Sequence, residues 1–267
     1  MTSGAPDTPT NDNETATDTA PKQGSSNARV VVITGASRGI GYALGEAFGA
    51  TGAHVVAVAR TVGGLEELDD AIKSKGGSAT LVPFDMRDGE AIDRLGLALY
   101  ERFGRVDVLV GNAGQLGTIT PLAHLKPKVF DEVMEVNVTA NFRLLRSFDP
   151  LLRQSEAGRA VFLTSGAAHS AKPFWGAYGA SKAALELLVR SYANEMASTS
   201  VRANLLNPGP IRTAMRARAV PGEDPTTVAK ANSLVEPVMR LTDPGFDETG
   251  KTFDVRAGKL VEPQPPA

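Results

Sequence analysis

From residue 29 onward the chain repeats one pattern: a short run apolar at nearly every position, a polar or glycine-rich break, then a stretch apolar on a helical period. The runs are residues 29–34 (RVVVIT), 54–59 (HVVAVA), 79–84 (ATLVPF), 106–111 (VDVLVG), 159–164 (RAVFLT) and 201–207 (VRANLLN). Helical patterns follow the first five: from Ile40, over 65–75, over about 88–103, as one long helix within 126–153, and over 177–196. Runs apolar on both faces and separated by helices predict parallel strands, because parallel neighbours need a crossover and the helices cover the sheet. A last strand is expected at about 251–255, closing a sheet of about seven. The predicted fold class is α/β: a single-domain Rossmann fold over residues 28–267, doubly wound, with helices on both faces. Residues 214–243 break the rhythm and are expected to form a loop with one helix crossing the ligand crevice.

Residues 1–27 follow no period and contain no Val, Ile, Leu or aromatic residue. Such a segment cannot bury enough apolar surface to offset its ordering entropy, so a disordered tail is expected. Lacking a basic start and an apolar stretch, it does not read as a secretory signal. The chain has no cysteine, which excludes disulfides, thiolate metal sites and cysteine nucleophiles. Three scattered histidines give no metal-site spacing. Net charge is −2 with no basic stripe, so no nucleic-acid partner is expected. No apolar run approaches the roughly 20 residues of a membrane span. A cytoplasmic location fits a cysteine-free chain.

The first strand runs into Thr34-Gly35-Ala36-Ser37-Arg38-Gly39-Ile40-Gly41. Glycines permit a tight turn and close ligand approach, and the helix that follows aims free N–H groups and a positive dipole end at an anion. A pyrophosphate fits that description. The same residues also spell G-x-S-x-G (Gly35, Ser37, Gly39), the elbow of a serine hydrolase with Ser37 as nucleophile. That reading needs a histidine late in the chain, and the three present are His54, His124 and His169.

An NAD site places an acid about 20 residues beyond the glycines, on the ribose 2′-hydroxyl. Here the second strand ends at Arg60, and between Gly41 and Glu66 the one acid is Glu46, inside the first helix. A guanidinium grips a 2′-phosphate that a carboxylate would repel, and Arg38 adds a second cation. NADP(H) is therefore expected over NAD(H).

Tyr178 and Lys182 open the helix after the fifth strand and, four residues apart, share one face. A nearby ammonium favours the phenolate, and a tuned phenol can exchange a proton with a carbonyl or alcohol oxygen. Ser165 ends the fifth strand, thirteen residues before Tyr178.

Taken in order, these segments resemble the short-chain dehydrogenase/reductase family over essentially all of residues 29–256. The glycine turn matches T-G-x-x-x-G-x-G; Asp85-Met86 follows strand three; Asn112-Ala113-Gly114 follows strand four, with Gly111 where the family usually has Asn. Asn137, Ser165, Tyr178 and Lys182 match the catalytic set, and Asn207-Pro208-Gly209-Pro210-Ile211-Arg212-Thr213 matches the segment after strand six. The resemblance implies Asp85 on the adenine amino group, and Asn137 tying Lys182 to a proton-relay water. It implies Ser165 on the substrate oxygen, and Pro208, Ile211 and Thr213 around the nicotinamide amide. It also implies hydride transfer to or from a small-molecule carbonyl or alcohol, and a homodimer or homotetramer built through the helices carrying Asn137 and Tyr178. A non-catalytic NADP(H)-binding sensor or scaffold would share the fold, since fold does not dictate function. It would be expected to lose Tyr178 or Lys182, and both are present. Substrate choice is expected to sit in 115–121, 166–175 and 214–232. There, Phe174 and Trp175 either line the pocket or pack the helix start.

Overall fold

The computed structural model describes residues 1–2 and 28–262, so the expected disordered tail falls almost wholly outside the described residues. Eight strands form one sheet in the order β3-β2-β1-β4-β5-β6-β7-β8. They are β1 (Val30–Thr34), β2 (His54–Ala59), β3 (Ser78–Pro83), β4 (Val108–Gly111), β5 (Arg159–Leu163), β6 (Arg202–Asn207), β7 (Thr252–Asp254) and β8 (Lys259–Val261). Every pairing is parallel except β7 with β8. The helices are α1 (Gly39–Ala50), α2 (Val62–Ser74), α3 (Gly89–Phe103), α4 (Pro127–Met134), α5 (Ala140–Arg153), α6 (Ala167–Ser170), α7 (Gly176–Glu195), α8 (Ala214–Ala219) and α9 (Val235–Leu241).

Because side chains alternate across a strand, β1 and β2 feed two separate cores. Val30, Val32, Val56 and Val58 pack with α3, α5 and α7 through Ile92, Leu144, Phe148 and Leu185. Val31, Ile33, Val55 and Ala57 pack with α1, α2 and α9 through Leu44, Phe48, Leu68 and Val238. The chain reverses winding between β1 and β4, where β3 and β2 lie to one side and β5 to the other. That crevice, at the carboxyl ends of the strands, is where open α/β sheets bind ligands.

Three expectations need correction. The long helix within 126–153 is interrupted: between α4 and α5, Glu135–Thr139 winds as a single π turn. One extra residue in a turn leaves the apolar period almost unchanged, so the pattern reads as continuous. The sheet does not end at β7; a four-residue turn returns the chain as antiparallel β8, three residues long and too short to show a period. Residues 214–243 hold two α-helices rather than one, with 3-10 turns at Pro225–Thr227 and Ala231–Leu234 between them. Of these, α9 belongs to the core beneath the sheet. No helix among the described residues is long and apolar enough to cross a membrane.

Candidate active site

A cleft of about 1020 Å³ opens along the carboxyl ends of the strands. At one end lies the glycine turn. Gly35 and Gly39 adopt φ of +68° and +59°, left-handed values that L side chains rarely take. Gly41 lies one step behind: a Cβ there would come within 2.3 Å of the Gly35 carbonyl oxygen. Gly41 therefore shapes the turn from beneath without lining the cleft, whereas Ser37, Arg38, Gly39 and Ile40 line it. Arg38 is the extended residue before α1 and its side chain makes no cap, so the first N–H groups of the helix keep no side-chain partner.

Asn112 stitches the turn to the neighbouring strand, its Nδ2 donating to the carbonyls of Thr34 (2.8 Å) and Gly35 (3.2 Å). The Thr34 hydroxyl accepts from the backbone N–H of Asn112 and Ala113 at 3.1 and 3.0 Å. Ala113 and Gly114 continue the cleft floor. Gly111 carries no side chain because none fits: a Cβ would stand 2.1 Å from the Phe162 ring and 3.0 Å from Asn141 Oδ1.

Beyond β2 and β3, Arg60 Nη1 stands 3.6 Å from Asp85, and Met86 lines the cleft while mostly buried. A fourth residue, Arg87, completes this end; sequence reasoning missed it. Its Nε and Nη2 donate to the two Asp85 oxygens at 3.1 and 2.8 Å, and its backbone N–H adds 3.0 Å. The side-chain bonds from Arg87, working against partial burial, hold the Asp85 carboxyl down to about 2. Its nearness to Asp85 in sequence was the available signal.

At the other end stand Ser165, Tyr178 and Lys182, all lining the cleft. Lys182 is buried; its Nζ donates to the Leu163 carbonyl at 2.7 Å and stands 5.9 Å from the centre of the Tyr178 ring. Burial holds the Lys182 ammonium down to about 8, with Glu186 pulling the other way. Burial also pushes the Tyr178 phenol up, opposed by a hydrogen bond from Ser165. Here the structure departs from the sequence argument: desolvation, rather than the neighbouring ammonium, dominates the phenol.

Asn137 sits in the π turn, fully buried and outside the cleft lining. Its Oδ1 accepts from Gln115 N (2.8 Å), and its Nδ2 donates to Gln115 O and Ser181 Oγ (both 2.9 Å). Asn141 Nδ2 donates to its carbonyl at 2.8 Å. Asn137 thus fixes the loop after Gly114 to α7 and makes no direct bond to Lys182. After β6, Pro208 and Ile211 line the cleft, and Thr213 caps α8 by accepting from Arg216 N at 3.2 Å. Its methyl also stands against Gly39, joining the two halves of the cleft. Further lining comes from Gln115 and Leu116, inside the segment 115–121 where substrate choice is expected, and from Glu132 and Val136, which the sequence did not mark. Trp175 lines the cleft with its ring edge-on to Tyr178, centroids 5.9 Å apart; Phe174 lies outside, exposed, at φ +73°.

Ser37 has no histidine partner. His54 bonds Ser78 and Thr80, His169 bonds Glu186, and His124 lies in an exposed turn. No cluster of metal-ligating side chains occurs among the described residues.

The short chain dehydrogenase family model matches residues 29–224. The uncharacterised oxidoreductase YciK of Escherichia coli K12 is 34% identical over 243 residues, spanning 90% of this chain and 96% of that protein. A 3-oxoacyl-[acyl-carrier-protein] reductase of Synechocystis is 31% identical over 88% of this chain and 98% of its own length. A crystal structure of a short chain dehydrogenase from Escherichia coli CFT073 complexed with NADPH aligns with TM-score 0.82 and 34% identity, over 88% of this chain and all of that one. One from Shigella flexneri 2a complexed with NADP aligns equally well, over 85% of this chain and 97% of that one. The chain belongs to the short chain dehydrogenase family, the NAD(P)-dependent oxidoreductases that act on CH–OH and C=O groups.

Proposed function

We propose that the protein is an NADP(H)-dependent oxidoreductase in which Tyr178 exchanges a proton with the oxygen of a small-molecule carbonyl or alcohol. The observation that carries the reading is a single cleft holding the glycine turn and Arg60 at one end and Ser165, Tyr178 and Lys182 at the other. The residues fit the cofactor. A Cβ at Gly35 or Gly41 would collide with the turn's own packing, the first turn of α1 offers backbone N–H groups, and two cations, Arg38 and Arg60, flank the spot where a 2′-phosphate would lie. The NADP and NADPH in the two solved relatives support the same choice.

Bound NADPH supplies the hydride; the chain supplies orientation and the proton. Ser165 and Tyr178 offer two hydroxyl donors to the oxygen on which negative charge develops. In this reading Lys182, one turn along α7, binds ribose hydroxyls and stabilises charge on Tyr178. In the same reading Ile211 and Thr213 hold the nicotinamide side and Asp85 takes the adenine amino group. The chain is expected to work as a homodimer or homotetramer through α5 and α7.

The test is NADPH oxidation against a panel of aldehydes, ketones and ketoacyl thioesters. Tyr178→Phe should leave NADPH affinity intact and lower turnover by about 10²–10⁴-fold. Arg60→Asp should weaken NADPH by about tenfold or more without weakening NADH. A parent enzyme indifferent to all substrates, or full activity in Tyr178→Phe, would overturn the reading.

A further inference from the structure

One buried carboxylate next to this machinery has no role in the reading above. Glu186 lies on α7 one turn beyond Lys182 and is only 2% exposed. It accepts three side-chain hydrogen bonds: from Thr164 Oγ1 at 2.6 Å, from His169 Nε2 at 2.8 Å and from Arg190 at 2.9 Å. Thr164 immediately precedes Ser165, and His169 follows it by four residues, on α6. The turn carrying Ser165 is therefore held from both sides by one side chain of the helix carrying Tyr178 and Lys182.

The charge matters as well as the bonds. Lys182 is faced by the Leu163 carbonyl from β5, by the Gly114 backbone after β4 and by Tyr178 on its own helix. None of these is an anion at neutral pH. Glu186 is the charged group that favours the Lys182 ammonium against its burial. Glu186 itself is faced by His169 from α6 and by Arg190 from α7, which reaches on to Thr252 of β7.

We infer that Glu186 is a positioning residue: its carboxylate clamps the Ser165 turn to α7 and serves as the fixed counter-charge of Lys182. The inference rests on the proposed proton-transfer role of Ser165, Tyr178 and Lys182. It assigns two separable functions to one carboxylate, so two variants separate them. Glu186→Gln keeps the shape and the acceptor oxygen for Thr164 but removes the charge. His169→Ala removes one arm of the clamp and leaves the charge in place.

The experiment is a titration of the Lys182 side chain by NMR of ¹³Cε-labelled lysine, with pH–rate profiles for the same proteins. Glu186→Gln should move the Lys182 midpoint to lower pH by roughly half a unit or more. The alkaline limb of carbonyl reduction should move with it, and kcat should fall by about tenfold with NADPH affinity unchanged. His169→Ala should lower kcat a few-fold and leave the midpoint where it is. Should Glu186→Gln fail to fold, Thr164→Val tests the clamp alone through the same split of kcat against NADPH affinity. A midpoint unmoved in Glu186→Gln, or kcat within twofold of the parent in both clamp variants, overturns the inference. The NMR midpoint needs no substrate, so a parent that reduces nothing would sink the proposed activity and leave the Glu186–Lys182 coupling decided on its own.

Discussion

At the scale of single residues, the central tension is a pair of titratable groups kept out of water. Lys182 is buried and held down to about 8, and the Tyr178 phenol is pushed up by burial. A neutral phenol is the form needed to give a proton to a nascent alkoxide, which is a far stronger base. Reduction of a carbonyl should therefore dominate at neutral pH, fall as pH rises through about 8 and the ammonium is lost, and give way to alcohol oxidation at higher pH. Rates in both directions between pH 6 and 10 check this. The same burial has a stability sign. Because the folded-state value of Lys182 lies below its unfolded value, the cost is full below about 8 and vanishes as pH climbs past the ordinary lysine value. It amounts to about 3 kcal/mol at pH 7. Lys182→Met should thus abolish turnover yet raise Tm at pH 7 by about 3–6 °C, allowing for the lost bond to Leu163, with the gain gone by pH 10. Thermal melts at the two pH values decide it. Both residues were legible in the sequence from their spacing together with their place after the fifth strand, but the direction of the Tyr178 shift was not. Spacing reveals which charges are near and conceals how much water is excluded. Arg87 and Glu186 escaped for a related reason: each reads as an ordinary surface or helical charge until its partners, Asp85 and the Ser165 turn, are seen in space.

At the scale of elements, strands β1 to β6 and helices α1, α3 and α7 were readable because continuous apolar runs and a 3.6-residue period leave strong marks. The start of α2 was hidden by Gly63 and Gly64, weak helix formers that sit inside its first turn. The π turn at Glu135–Thr139 was hidden because its effect is local: it swings Asn137 into a buried slot where both ends of its amide are used by Gln115 and Ser181. Gly111 is another local device. The family's usual Asn is absent because Phe162 and Asn141 occupy the volume its side chain would need. Overpacking a close-fitted core costs typically about 1–3 kcal/mol. Gly111→Ala should lie at the upper end of that range in urea unfolding, since a ring carbon, buried on all sides, must move. Gly111→Ala combined with Phe162→Leu should recover part of the loss, and a full loss in the double variant would show that the ring is not the obstacle.

At the scale of the whole molecule, the two cores account for nearly every large apolar side chain on the strands, but the outer faces of α5 and α7 are less settled. Phe142 of α5 is 48% exposed and Leu187 of α7 is 67% exposed. Along α7 the exposed positions include Ala180, Ala183, Leu187 and Ser191, a stripe of small and apolar residues at helical spacing. A charged solvent face would be the ordinary outcome for a surface helix. An apolar stripe, with Phe142 exposed on the neighbouring α5, instead suits a two-fold contact, in which the same patch meets itself. Such a contact would lie on the backs of α5, which continues from the π turn of Asn137, and of α7, which carries Tyr178, so assembly and the geometry of the cleft would be coupled. A charge placed in the centre of the patch would have to be buried without a partner, at a cost large enough to dissociate an interface of ordinary size. Leu187→Glu should therefore yield a monomer by multi-angle light scattering while the parent measures as a dimer or tetramer. NADPH affinity should weaken in parallel with dissociation. A parent that is already monomeric at micromolar concentration, or a Leu187→Glu variant whose mass is unchanged, would show that this face belongs to solvent.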